Sequence, residues 1–92
     1  MINPFYKTRL VFKLSTHIQE ARASLLEDLV AYTNDPVRYK RRLRMLIQLA
    51  EYEYQTLKKI RDFETDELDD IGSYDTIEML KREVNTIVDR NS

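Results

Sequence analysis

A chain of 92 residues has material for one domain, and at this length folding removes only roughly 60% of the surface that the unfolded chain exposes. One glycine, two prolines and no cysteine leave little for tight hairpins and nothing for a disulfide framework, a thiolate metal site or a cysteine nucleophile. The net charge is −1, yet residues 1–44 hold nine Lys/Arg against four Asp/Glu and residues 45–92 hold six against twelve, so the chain is a charge dipole.

The N-terminal stretch MINPFYKTRL has neither the apolar core of a signal peptide nor a glycine after the first methionine. The longest apolar run, Leu29-Val30-Ala31-Tyr32, is far too short to span a bilayer. A soluble, cytoplasmic protein with no membrane partner is expected. Steps of three and four through Val11, Leu14, Ile18, Ala21, Leu25, Leu29 and Tyr32 predict a first helix ending at Thr33. Its start has two readings. Tyr6, Thr8, Leu10, Phe12 and Leu14 alternate with Lys7, Arg9 and Lys13 as a half-buried strand would, but no second strand pattern exists to pair with them. Entry at Asn3-Pro4 is therefore favoured, with a restart near Ser15 or Thr16 as the alternative.

Asn34-Asp35-Pro36 supplies a cap residue followed by proline at the first helical position, where its missing N–H does no harm. A second helix is predicted from Pro36 to about Phe63, on the order of 40 Å long. Leu43, Ile47, Ala50, Tyr54 and Leu57 are spaced 4-3-4-3, a heptad seam widened by Tyr39, Leu46 and Ile60 that reads as its buried face. Met45, Leu49, Tyr52 and Phe63 fall on roughly the opposite side, in the same arc as Arg38, Arg41 and Arg42. The helix is thus apolar on two sides. After an acidic linker, about residues 64–74, Asp75 and Glu78 form a capping box. A third helix, about residues 76–89, carries Ile77, Leu80, Val84, Ile87 and Val88 on one face.

These elements predict an all-α fold: an αα-hairpin with a long central helix plus a short C-terminal helix, a three-helix bundle. A third helix of about 14 residues looks too short to cover one twice its length, so self-association through helix 2 as a homodimer is expected. Tyr52, Leu49, Met45 and Phe63 are the predicted centre of that protein-interaction surface, because tyrosine joins a large apolar body to a hydroxyl that tolerates water. In the competing arrangement helix 3 lies there and these residues are core.

Arg38, Lys40, Arg41, Arg42 and Arg44 place five positive charges in seven residues near a helix N-terminus, where they oppose the helix dipole. Three destinations compete for this basic patch: the acidic end of a second chain's helix 2 in an antiparallel dimer, nucleic-acid phosphate with Tyr39 stacking on an unpaired base, or plain solvation. An antiparallel helix 1 would also set Lys7, Arg9 and Lys13 beside Asp62, Glu64 and Asp66. The near-neutral charge and the turn types fit a DNA-reading helix-turn-helix poorly.

Catalytic constellations are sparse. His17 is the only imidazole and lies beside the apolar face of helix 1, and His17-x-x-Glu20 is the reverse of the di-iron pattern. One glycine excludes phosphate loops and dinucleotide fingerprints. The acidic patch Asp62, Glu64, Asp66, Glu67, Asp69 and Asp70 begins like a calcium loop, but Glu67 stands where the turn needs glycine and Ser73 where a bidentate glutamate belongs. It reads as a solvated helix end or a basic partner's docking site. The expectation is a non-enzymatic protein without cofactor or metal, an adaptor, accessory subunit or inhibitor that binds another macromolecule. Nucleic-acid binding by the basic patch is the alternative.

Overall fold

A computed structural model describes the backbone of residues 5–62 and 74–89, and the side chains of residues 8–62 and 77–89. Three helices account for it: α1 (Phe5–Ala31), α2 (Pro36–Asp62) and α3 (Tyr74–Ile87). The Asn3-Pro4 entry, the acidic linker with Glu64, Asp66, Glu67, Asp69 and Asp70, and Phe63 lie outside the described residues.

Helix α1 is continuous through Ser15 and Thr16, so no restart occurs there. Its alternating N-terminal pattern is helical because Leu10 and Leu14, four residues apart, are both buried while Phe12 between them is 69% exposed. The hydroxyl of Thr16 is tied back to the Phe12 carbonyl at 2.8 Å, and that of Thr33 to the Val30 carbonyl at 2.8 Å. The second bond satisfies a terminal carbonyl where α1 stops. Helix α2 starts as the sequence requires: Asp35 Oδ1 accepts from the Arg38 backbone N–H at 3.2 Å, with Pro36 in the first turn. Helix α3 begins at Tyr74, one residue ahead of the predicted cap Asp75.

Cross-helix pairs set the topology. Arg22 meets Glu53 and Asp28 meets Arg42, so α1 and α2 are antiparallel. Tyr52 meets Glu83 and Arg41 meets Asp89, which makes α3 antiparallel to α2 in turn. The result is an up-down-up three-helix bundle. Its core draws Leu10, Leu14, Ile18, Ala21 and Leu25 from α1, Met45, Leu49 and Ile60 from α2, and Ile77, Val84 and Val88 from α3. Each large side chain buried this way contributes about 1.5–3 kcal/mol relative to exposure.

The two apolar sides of α2 exchange much of what the sequence assigns them, although Ile60 of the predicted seam is buried and its Leu46 and Leu57 pack partly against the core. Met45 and Leu49, predicted to form an interaction surface, are 7% and 0% exposed in the core, and Tyr52 is half-buried beside them. Leu43, Ile47, Ala50 and Tyr54, predicted to be core, are exposed. A 14-residue helix suffices as cover for a physical reason. The apolar stretch from Met45 to Ile60 is only about 22 Å long, the reach of a 14-residue helix. The rest of that arc is Arg38, Arg41 and Arg42, which need no cover.

Candidate functional site

Helix α3 closes one side of the α1–α2 hairpin and leaves the other open. Along the open side runs a groove of about 800 Å3, with Val11, Phe12 and Ser15 of α1 on one wall and Ala50, Tyr54 and Leu57 of α2 on the other. At about 100° per residue, Leu26 and Val30 share the arc of Phe12, while Leu43 and Ile47 share the arc of Tyr54. Six of the eight large apolar side chains that stand exposed among the described residues therefore lie on this one face: Phe12, Leu26, Val30, Leu43, Ile47 and Tyr54. Exposure reaches 78% at Val30 and 60% at Ile47. Lone exposed apolar residues are ordinary, but a stripe running the length of a hairpin is the mark of a binding surface.

The face is pinned at its floor. Arg22 of α1 donates to Glu53 of α2 at 2.7 Å, with both side chains about one-third exposed. This pair holds the two helices in register and turns two charges toward each other instead of outward. Between Phe12 and Leu26 the same arc of α1 carries the neutral side chains of Ser15 and Gln19.

The opposite, closed side is sealed by Tyr52. Its hydroxyl donates to Glu83 Oε2 at 2.6 Å and lies 3.3 Å from the Leu80 carbonyl. Burial pushes the phenol's pKa up from its ordinary 10.0; the hydrogen bond to Glu83 and that residue's negative charge raise it further, while a hydrogen bond with Thr56 acts the other way. His17 Nε2 sits 2.9 Å from Asn85 Oδ1, so the one imidazole joins α1 to α3.

Three of the five cations predicted to form one basic patch are engaged by carboxylates. Arg42 reaches back to Asp28 at 3.0 Å and stacks over the Tyr32 ring, its guanidinium 5.6 Å from the ring centre. Arg38 pairs with Asp35 at 3.5 Å and lies 5.3 Å from the same ring centre; Arg41 pairs with Asp89 at 2.5 Å. Lys40 and Arg44 stand exposed without an ion pair among the described residues. Asp28 and Asp89 thus reach the cluster from the ends of the neighbouring helices. Of the acidic patch only Asp62 is described, 3.8 Å from Arg61. Arg9 and Lys13, predicted to face that patch, are exposed.

No family model, no curated protein and no solved structure matches this chain. Its own chemistry carries the functional reading. Among the described residues no three His, Cys, Asp or Glu side chains converge as a metal site would require, and no helix is long and apolar enough to cross a membrane. The residues that sequence reasoning passed over are Phe12, Leu26 and Val30. Their signal was present, since all three fall on one arc of α1, off the face that Leu14, Ile18 and Leu25 define.

Proposed function

We propose that this protein is a non-enzymatic binding module that engages another polypeptide through the open face of the α1–α2 hairpin. One observation carries the reading: Phe12, Leu26, Val30, Leu43, Ile47 and Tyr54 form a single exposed apolar stripe on an otherwise charged, compactly packed bundle. Interface centres are poor in charge and rich in such side chains, with Tyr and Phe among the strongest contributors. Polar neighbours such as Lys58 and Arg61 at the groove's end supply the rim. Nucleic-acid binding draws less support, because three of the five clustered cations are engaged by Asp28, Asp35 and Asp89.

The test is a photo-crosslinking amino acid placed in the cell at Ile47, with the same probe at Met79 as control. Met79 is 50% exposed on the outer face of α3. A discrete protein adduct from Ile47 and none from Met79 is the expected result; no adduct at Ile47, or equal labelling at both, would sink the reading.

A further inference from the structure

The open face has a sequence of its own. On α2 it keeps heptad spacing, with Leu43, Ala50 and Leu57 at one kind of seam position and Ile47 and Tyr54 at the other. In an antiparallel pair of such helices each kind packs against the other kind. A second α2 laid antiparallel, with its two-fold axis between residues 48 and 49, sets Ile47 over the second copy's Ala50 and Leu43 against its Tyr54, twice over by symmetry. The small residue of the seam meets a β-branched one, and the largest meets leucine. Large against small is the pattern a close-packed interface needs.

Charge selects the same arrangement. Arg44 and Glu51 each follow a seam residue, Leu43 and Ala50, on the outer edge away from α1. Neither has an ion pair among the described residues, whereas Glu53 on the inner edge is held by Arg22. In the antiparallel register Arg44 of each copy reaches Glu51 of the other. A parallel pair would instead put Arg44 and Glu51 of one copy on the edge away from those of the other, so neither would gain a partner.

We propose that the occupant of the open face is a second copy of this chain, seated antiparallel along α2 with two symmetry-related Arg44–Glu51 pairs along the outer edge. The proposal rests on the binding-face reading and narrows it to one partner. It also differs from the dimer expected from the sequence, which used Met45, Leu49, Tyr52 and Phe63.

The experiment uses the purified full chain. Light scattering on a sizing column should give twice the 11.1 kDa chain mass. Ile47→Glu should yield monomers with an unchanged helical circular dichroism spectrum, since that side chain is 60% exposed in the single chain. Arg44→Glu should weaken the dimer roughly tenfold, Glu51→Arg likewise, and the double exchange should restore it. Because the chain has no cysteine, mixing Arg44→Cys with Glu51→Cys chains should give a mixed disulfide, while Arg44→Cys alone should give none. A monomer at all concentrations, a dimer that survives Ile47→Glu, or an efficient Arg44→Cys homodisulfide would overturn the proposal. A pure monomer together with an Ile47 photo-adduct to a different protein would overturn the second copy and leave the binding face standing; a monomer with no adduct would remove both.

Discussion

The two sides of α2 each carry a stripe of apolar side chains and meet opposite fates. Met45, Leu49 and Ile60 are sealed under α1 and α3, while Leu43, Ile47, Ala50 and Tyr54 face outward. Spacing cannot separate them, because both stripes repeat at three and four residues. What separates them is supply. The chain provides one 14-residue helix as a cover, Tyr52 on the closed side finds an acceptor on it, and the seam side is given only the shoulder of α1. The stripe left over after the core is satisfied is the exposed apolar surface on which the proposed binding face rests.

The contrast predicts its own largest effect. Leu49 is 0% exposed, so Leu49→Ala should cost about 2–5 kcal/mol of folding stability through lost burial and the cavity left behind. Ile47→Ala removes a side chain of similar size two residues away and should change the stability of the dilute single chain by no more than about 0.5 kcal/mol. Chemical denaturation of both variants measures the difference. Equal losses would mean that the two sides are not distinct and that the open face is covered in the isolated chain.

Tyr52 offers a sharper probe of the closed side. Its phenol is held neutral in the folded state by burial and by Glu83, so the folded pKa lies above the unfolded value of 10.0. The stabilisation is fully present below pH 10 and falls as pH rises beyond it, because the unfolded state sheds its proton first. Between roughly pH 10 and 11.5, stability should therefore fall more steeply in the native chain than in Tyr52→Phe. At neutral pH the same substitution should cost about 1 kcal/mol for the lost hydrogen bond. Parallel pH slopes would show that Tyr52 is open to water and that α3 does not seal this side.

How much of this was legible beforehand differs between backbone and surface. Helix positions followed from local chemistry: Asp35-Pro36 starts α2 as a cap and first-turn proline must, and the α3 face of Ile77, Val84 and Val88 is a single unambiguous stripe. The core of α1 was readable for the same reason, although Leu10 replaces Val11 as its deepest N-terminal residue. The site was not readable, because deciding between two apolar stripes needs the third helix placed in space. Nor could residue spacing reveal that Asp28 and Asp89, distant in sequence, would come to Arg42 and Arg41. Those contacts are products of the fold.

The smallest effects test whether the closed side extends into the basic end of α2. Arg42 is only 21% exposed, stacked on Tyr32 and tied to Asp28, so its aliphatic stem seals the bundle beyond the end of α3. Arg41 and Asp89 are 62% and 50% exposed, a pair of the kind that contributes about 0–1 kcal/mol. Asp89 moreover has φ of 55°, a left-handed conformation that costs a non-glycine residue about 1 kcal/mol, somewhat less for aspartate. Arg42→Ala should thus lower stability by about 1 kcal/mol and keep most of that loss at about 1 M salt, where the Debye length shrinks to about 3 Å and packing still counts. Arg41→Ala should move stability by less than about 0.5 kcal/mol and not at all in high salt. Asp89→Gly gives up the exposed pair and relieves the backbone, so its net effect should be neutral or stabilising by about 0.5 kcal/mol. If Asp89→Gly were instead strongly destabilising, the Arg41–Asp89 pair would be clamping α3 onto α2, and the closed side would owe its closure to charge as well as to the Met45–Ile60 stripe.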